Sequence, residues 1–453
     1  MLDDLRALPG FTDDPATRAA ARTDWSGMGR AEPLAVLRPR TPEEVARAMA
    51  GLNRLSQTVV PQGGLTGLAG GANPRPQDVA LSLAGLSGVI DIDRDARSMT
   101  CLAGTPLAEA QAAAAAEGLM LPIDLGARDS CLIGGNIATN AGGLRVIRYG
   151  TTRANVLGLE AVLADGSTIG ALRKMIKISL GPDLSALMIG SEGTIGTITR
   201  AVLRLVPQPA GRLTALCALS DFPAVLRLLT RARDTLPGLS AFEAMWASFF
   251  RLMSEMRGST LFADAPPLAV IIEAETDGSD AERLRFEALL EAAIEAGEIT
   301  DAILPQSLRE LSAMWSVRET AGMEQAMPGL VNLDISLPST DLGRFDEAAA
   351  DALRSALPGA ATFSFGHVGD GNLHLCVHLP GTDPEAAIHE VDDVIYPLVG
   401  RMGGAISAEH GIGTLKRDYL GQSRTAADLA ALRRVKAALD PNGILNPGKV
   451  LPL

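Results

Sequence analysis

An α+β protein of two domains is what this sequence predicts, and three observations carry that reading. The chain has 453 residues, which at roughly 150 per domain means about three domains or two large ones. Segments patterned as strands alternate with segments patterned as helices, as a mixed core requires. Beyond Val206-Pro207-Gln208-Pro209 the texture changes, glycines thin out and helices dominate, so a boundary is expected near residue 205. Domains are therefore expected at 1–205 and 206–395, with a carboxyl segment, 396–453, returning to the first. Hydrophobic residues at 47% and charged residues at 21% are ordinary for a globular core.

The first strand is AVLRPR, from Ala35. Thr41-Pro42-Glu43-Glu44 then reads as a capping box: the Thr oxygen can accept a free amide, Pro suits the first turn, and Glu44 can reach back. EVARAMAGLNRL continues at helical spacing, and TVVP is the returning strand, which runs into GGLTGLAGGA. VALSLAGL, GVIDID and SMTCLAG follow as short strands. Thr105-Pro106-Leu107 opens an alanine-rich helix, best read as ordinary packing. A second glycine-dense stretch runs from Ile123 to Gly150. In the second domain, helices such as FPAVLRLLTRARDTL alternate with strands such as LAVIIEAE. The last part holds FSFGHVGDGNLHLCVHLP, AEHGIGTLKRDYL and LDPNGILNPGKVL.

Lys and Arg number 40 against 53 Asp and Glu, a balance of −13. A phosphate backbone would be repelled, so no nucleic-acid partner is expected. No run of about 18 apolar residues is present to span a membrane. The start, MLDDLRALPGFTDD, is acidic and lacks the basic and apolar regions of a secretory signal. Cys101, Cys131, Cys217 and Cys376 are scattered without a CxxC pair. Reduced thiols and a cytoplasmic location are the expectation.

Chemistry concentrates first in two loops, PQGGLTGLAGGA (61–72) and LGARDSCLIGGNIATNAGG (125–143). Glycine lets a backbone approach a ligand closely and turn several N–H groups onto one phosphate. The first loop reads Gly64-x-x-Gly67-x-x-Gly70, which is neither GxGxxG nor GxxxxGK[ST]. The usual nicotinamide and P-loop sites fail on that spacing. Two such loops, with Ser130, Asn136, Thr139 and Asn140 as small donors, suit one pyrophosphate held from two sides. A pair of tight turns is the plainer alternative.

PQGGLTGLAGG, IGGNIATNAGG, RYGTTRANVLGLEAVLADG and MIGSEGTIGTIT, in that order, resemble the FAD-binding domain of the vanillyl-alcohol-oxidase type. FGHVGDGNLHL, AEHGIGTLKR and LDPNGILNPGK resemble one branch of it, the FAD-linked D-2-hydroxyacid dehydrogenases, which include D-lactate and D-2-hydroxyglutarate dehydrogenases. The resemblance covers roughly residues 33–450. It implies a two-domain fold: an FAD-binding domain, a ferredoxin-like-type substrate and metal domain, and a carboxyl end that returns to the flavin. It implies that the backbone of Gly63, Gly64, Leu65, Thr66 and Gly67 lines the FAD pyrophosphate. Ser130, Gly134, Gly135, Asn136, Thr139, Asn140, Gly142 and Gly143 would line the flavin side, and Ile198 and Asn446 would touch the cofactor from elsewhere. Relatives with covalent flavin usually carry His in the first loop; this loop has Leu65 and no His, so non-covalent FAD is expected. MIKISLGPDL departs from the polar KDNTGYDL-like run more common among relatives.

All five histidines, His367, His374, His378, His389 and His410, lie in one stretch near the carboxyl end. LHLCVHL alternates as a strand, which puts His374, Cys376 and His378 on one face. The HVGDGN loop can bring His367 beside His374, and Glu409-His410 precede a glycine turn. Two imidazoles and a carboxylate suit a catalytic divalent metal, with zinc the usual choice and manganese or iron also tolerated. The resemblance assigns the metal to His367, His374 and Glu409. His389, in the helix-like DPEAAIHEVDD, and His378, at the far end of its strand, read as ordinary residues, and Asp370 reads as a turn residue.

A secondary hydroxyl is a poor acid, and a metal at its oxygen would lower its pKa and orient it. His410, with an intrinsic pKa of about 6.5, is then the general base, and the flavin takes the hydride. The resemblance puts Arg318, in WSVRET, at the substrate carboxylate, where planar bidentate recognition favours Arg. Read alone, Arg318 would pair with Glu319 at the surface. Relatives that oxidise D-2-hydroxyglutarate generally carry Thr, Lys and Asn where this chain has Gly322, Asn332 and Cys376. Asn332 and Cys376 would shape the substrate pocket together with Arg318 and His410. Loss of the Lys charge weakens the hold on a second carboxylate by roughly 1.5–3 kcal/mol, so a monocarboxylate or an apolar-tailed hydroxyacid suits the site as well as hydroxyglutarate.

The activity expected is oxidation of a D-2-hydroxyacid (D-2-hydroxyglutarate, D-lactate or similar) to the 2-oxoacid. Electrons would pass on to an electron-transfer flavoprotein or a quinone, and a homodimer is left open. A rival reading is a non-catalytic flavin electron-transfer subunit of a larger hydroxyacid (glycolate) oxidase complex, which would not need His367, His374, Glu409 and His410. A metal hydrolase with vestigial flavin loops is a second rival.

Overall fold

The structure is a computed structural model, and it describes residues 2–258 and 261–452. The chain divides into two compact units, one of Met1–Gly143, Tyr149–Gln208 and Glu409–Leu453, the other of Leu144–Arg148 and Pro209–Ala408.

Two sheets share one apolar core in the first unit. β1 (Phe11–Thr12), β2 (Ala35–Leu37), β3 (Val59–Gln62) and β4 (Val79–Ser82) form one sheet in the order β1-β2-β4-β3, with β2, β4 and β3 parallel. Parallel strands need a crossover, and α1 (Pro42–Arg54) supplies it between β2 and β3. Thr41 caps this helix as the sequence predicts, its Oγ1 accepting from the Glu44 amide at 3.2 Å. Glu44, however, reaches the amide of Arg40 at 2.7 Å, so the reciprocal half of the box sits one residue early. Val45, Met49 and Leu52 turn inward at helical spacing and are fully buried.

The other sheet is antiparallel: β5 (Val89–Asp93), β6 (Ser98–Leu102), β7 (Val156–Val162), β8 (Thr168–Ala171) and β9 (Thr197–Arg204), in the order β5-β6-β9-β7-β8. α2 (Leu107–Ala116) and α3 (Ile133–Thr139) lie between β6 and β7 in sequence. MIKISLGPDL forms neither helix nor strand; Ile176 and Leu180 there are 83% and 75% exposed, and Lys174 just before it bonds Asp91 and Asp93.

Helices supply more residues than strands in the second unit, as its texture suggests. Its frame is a seven-stranded antiparallel sheet: β10 (Gly211–Leu219), β11 (Leu239–Trp246), β12 (Leu268–Thr276), β13 (Asp301–Ile303), β14 (Val331–Ser336), β15 (Ala361–His367) and β16 (Asn372–His378). With α4 (Phe222–Thr235) after β10 and α6 (Asp280–Glu295) after β12, the first four strands make a βαββαβ unit in the order β13-β10-β12-β11, which is the ferredoxin-like arrangement. α5 (Ala247–Arg257) and α7 (Leu308–Ser316) are additions to it. β14, α8 (Leu342–Ala356), β15, β16 and α9 (Pro384–Arg401) repeat the motif in part and extend the sheet as β11-β15-β16-β14. Phe249, Phe250 and Met253 of α5 and Met314 of α7 cover Met245 and Ile271 in one apolar cluster.

The chain then returns to the first unit and ends with α10 (Ala426–Leu439), which Thr425 and Asp428 open with a complete capping box. Lys436 of α10 donates to Thr194 O and Leu445 O at 2.6 Å each and pairs with Asp440, which fastens this end of the chain. Among the described residues no helix is long and apolar enough to cross a membrane.

Candidate active site

In the first unit the two glycine-rich loops meet. A Cβ on Gly64 would come within 1.9 Å of Ser130 O, so that glycine is required by backbone packing. Gly63 faces Gly135 more loosely, at 3.5 Å from a built Cβ to the Gly135 Cα. Leu65 adopts φ 57°, uncommon without a glycine. Its carbonyl accepts from the Trp25 amide at 3.0 Å, and the Gly67 carbonyl accepts from Ser26 at 3.1 Å, with half-buried Thr66 between them. This strap, Asp24 to Ser26, precedes the first strand read from the sequence and carried no pattern there.

The polar residues of the second loop first hold the loop itself. Gly134 gives its amide to Ala103 O at 2.7 Å, Thr139 Oγ1 donates to Gly135 O at 3.0 Å, and Asn136 Nδ2 donates to Cys131 Sγ at 3.4 Å. Asn140 ends α3 in the left-handed region, its Oδ1 accepting from Thr151 Oγ1 and the Arg153 amide. Ile198 is buried where the pairing of β9 with β7 slips between Ile198 and Arg200. Asn446 donates Nδ2 to Gly71 O at 3.0 Å and to Glu192 O at 2.7 Å. Its Oδ1 is buried and has no hydrogen-bond partner among the described residues.

The returning segment lies on these same loops. Glu192, from MIGSEGTIGTIT, accepts from the amides of Ile412 and Gly413 at 2.7 and 2.8 Å. Burial raises its carboxyl above the usual range, and those two amides oppose the rise. Thr414 donates its amide to Ala69 O at 2.9 Å. A Cβ on Gly142 would stand 2.9 Å from Glu409 Oε1, so Glu409 rests against the second loop, beside Gly143. His410 follows it, immediately before the turn that Glu192 holds. Glu192 was not singled out from the sequence, where it is one acid in a glycine motif.

In the second unit, register places the remaining candidates on one sheet face. Glu243 of β11 is opposite His367 of β15; Phe365 is opposite His374 of β16; Asp334 and Asn332 of β14 are opposite His374 and Cys376. Strand side chains alternate, so all of these share a side. The His367 and His374 rings stand edge to face with centroids 5.5 Å apart, and both are buried. Asp370 lies in the 3-10 turn Val368–Asp370 that joins their strands; burial pushes its carboxyl up to about 6. His378 is half-buried at the end of β16, and His389 is exposed on α9.

Asp334 is fully buried and organises the end of this unit's chain. It accepts from Asn372 Nδ2 and Ser407 Oγ at 3.0 Å each and from the Ala408 amide at 3.1 Å. Ala408 is one peptide bond before Glu409. The residue directly across the ladder from His374 thus anchors the lead into Glu409.

Arg318 does not pair with Glu319 at the surface. It is buried just beyond α7, and its Nε and Nη2 donate to Glu243 Oε2 at 2.8 and 2.7 Å. Its guanidinium carbon lies 4.4 Å from the centre of the Phe365 ring, a cation–π distance. Glu243 Oε1 is 2.6 Å from His367 Nδ1. Burial alone would raise the Glu243 carboxyl, but the opposite charges of His367 and Arg318 and their hydrogen bonds outweigh it, and the net shift is downward. The one available signal was a lone acid in the otherwise apolar strand AFEAMW.

Cys376 is buried in the cluster with Met245, Phe249 and Phe365; burial pushes its thiol up to about 12, so it acts as a neutral neighbour. Asn332, across from it, is exposed. Gly322 has φ 93°, a conformation that a β-branched Thr would not take.

Comparison with known proteins identifies the family and the fold. Residues 33–171 match a family described as FAD binding domain, and residues 208–450 match FAD linked oxidases, C-terminal domain. D-2-hydroxyglutarate dehydrogenase of Bos taurus mitochondria is 37% identical over 99% of this chain and 84% of its own length. The protein of that name from Xanthomonas citri pv. viticola is 36% identical over 96% and 93%. Among solved structures, p-cresol methylhydroxylase with substrate bound gives a TM-score of 0.79 at 15% identity, covering 100% of this chain and 96% of that one. 4-Ethylphenol oxidase from Gulosibacter chungangensis gives 0.76 at 18% identity, over 98% and 94%. These likenesses identify the fold as the vanillyl-alcohol-oxidase type.

Proposed function

This chain belongs to the family of FAD-linked D-2-hydroxyacid dehydrogenases, and from that membership we propose that it oxidises a D-2-hydroxyacid to the 2-oxoacid with the help of a divalent metal. It is an FAD-linked oxidoreductase. The observation that carries the finer reading is the sheet face where two buried imidazoles, 5.5 Å apart, adjoin the guanidinium of Arg318. Metal-type donors and an anion receptor on one surface suit a substrate with a hydroxyl next to a carboxylate.

Both groups fit the residues present. The buried Asn446 Oδ1 is an acceptor in need of a donor, and an isoalloxazine with a ribityl chain offers several. Gly63 and Gly135 leave room between the loops that a side chain would fill. Bound FAD would supply the hydride acceptor. Without a histidine in its first loop the chain would hold FAD by non-covalent contacts alone, and acid precipitation should release the yellow colour into the supernatant.

His367, His374 and Glu409 would hold the metal. Their donor chemistry suits zinc, and Glu243 engages His367 Nδ1, so a metal bond there would be made by Nε2. The lead into Glu409 supports its inclusion, because Ala408 hangs from Asp334, the register partner of His374. A bound divalent ion would supply Lewis acidity at the substrate hydroxyl. His410 accepts the hydroxyl proton on an imidazole nitrogen, and Arg318 binds the carboxylate through the guanidinium edge that Glu243 does not occupy. An electron-transfer flavoprotein or a quinone is the proposed onward acceptor.

D-2-hydroxyglutarate is the substrate of the named relatives; Gly322, Asn332 and Cys376 widen the candidates to hydroxyacids without a second carboxylate. The test is flavin bleaching without oxygen, using D-2-hydroxyglutarate, D-lactate and longer D-hydroxyacids with their L-enantiomers. Loss of the visible flavin bands with one or more D-acids and none of the L-acids is expected. Flavin that stays oxidised with every acid would refute the proposal.

A further inference from the structure

Glu243 neither gives nor takes a proton in the chemistry above, yet it touches both halves of it. It is a carboxylate 1% exposed in the middle of β11, a position that would be strongly unfavourable for an unpaired charge. Its two oxygens serve different partners. Oε1 is 2.6 Å from His367 Nδ1, and Oε2 takes both Nε and Nη2 of Arg318 at 2.8 and 2.7 Å.

The surroundings fix all three residues in place. Arg318 lies over the Phe365 ring at 4.4 Å, and Phe365 stacks with Phe249 and with His374, with centroids 4.3 and 4.9 Å away. Sheet register independently sets Glu243 opposite His367. A carboxylate on one imidazole nitrogen fixes the tautomer, stops ring rotation and raises the basicity of the other nitrogen. Two donors of a planar guanidinium held on one oxygen fix which edge of the fork faces away.

We infer that Glu243 is a positioning residue that aims His367 Nε2 at the metal and the outer edge of Arg318 at the substrate carboxylate, so that one side chain sets both affinities. The inference rests on the metal reading proposed above. Glu243→Gln separates the two duties. The amide oxygen can still accept from His367, but the amide N–H2 then meets the donors of Arg318; turned around, it meets His367 instead. Either way one partner loses its acceptor, and both lose the charge.

The experiment is a zinc titration of metal-stripped, FAD-loaded protein against a chromophoric chelator. Wild type, Glu243→Gln and Arg318→Lys are compared, with KM and kcat for a D-hydroxyacid measured on the zinc-restored samples. Glu243→Gln should bind zinc about 10- to 100-fold more weakly, the usual effect of removing such a partner, and its KM should rise while FAD content stays at wild type. Arg318→Lys should raise KM and leave zinc affinity unchanged. Zinc affinity and KM both unchanged in Glu243→Gln would overturn this inference and leave the functional reading standing. Wild type that takes up no zinc would overturn both. If Glu243→Gln fails to retain FAD, Glu243→Asp decides: it keeps the charge but is one methylene too short to reach both partners, so wild-type values in both measurements would overturn the inference.

Discussion

His410 and Arg318 carry the proposed chemistry, and they should fail differently when altered. His410→Ala removes the proposed proton acceptor. Flavin reduction by substrate should slow by about 10²–10⁴-fold at wild-type FAD content, as stopped-flow absorbance would show. Arg318→Lys keeps the charge but not the planar fork, and Lys cannot both hold Glu243 and present a second edge. KM should rise about 10- to 100-fold, the equivalent of one charged hydrogen bond, with a smaller change in kcat.

A family motif singles out these residues in the sequence, but it does not give their partners. Glu243 is 75 positions from Arg318 and 124 from His367. Glu192 is more than 200 from the turn it holds. Asp334 reads as one acid in a strand until the ladder sets it opposite His374. Sequence spacing reveals neighbours within an element, and sheet register supplies the rest only once strand order is known.

At the scale of elements, strands and turns were read well, and departures have local causes. The helix after Thr41 begins where expected, yet Glu44 bonds the amide of Arg40, a half-exchange that composition cannot distinguish from the full box. LAVIIEAE reads as a strand by its short apolar run and not by alternation, because all of Leu268–Thr276 is buried. Gly64→Ala tests the junction of the two loops. Its Cβ would overlap Ser130 O at 1.9 Å, so the loops must separate and the purified protein should be colourless or lose FAD on dilution.

Asp346 of α8 tests an electrostatic prediction at the same scale. Burial pushes its carboxyl up to about 6 despite the hydrogen bond that Ser364 Oγ donates at 2.5 Å. The unfolded value is about 3.9. The native state therefore binds the extra proton between those values, and the stability this group contributes is complete below about pH 4 and lost as pH rises through about 6. Asp346→Asn should match wild type near pH 4 and be more stable by about 1–2 kcal/mol at pH 7.5 in denaturant titrations.

For the whole molecule, the chain order is the feature that a linear division misses. Two domains and a returning tail were expected, but the second unit also takes Leu144–Arg148 from the middle of the first. Arg145 holds Glu273 at 2.8 Å and lies 3.8 Å from Glu275, and Arg148 meets Glu275 at 3.2 Å, with all but Arg148 buried. Nothing in GGLRVIRYG distinguishes these arginines from surface ones, because their partners lie more than 120 positions away. Arg145→Ala removes the shortest ion pair of buried Glu273 but leaves Arg212 3.6 Å from it, and should lower the stability of the second unit by about 1–3 kcal/mol in guanidinium unfolding.

A chelator tests the central claim most directly. FAD-loaded protein is stripped of divalent ions, mixed without oxygen with the best D-hydroxyacid, and followed by flavin absorbance before and after zinc is restored. The account predicts that the stripped protein keeps its FAD spectrum, reduces at least about 100-fold more slowly, and recovers with zinc. Reduction at the full rate in the stripped protein would contradict it.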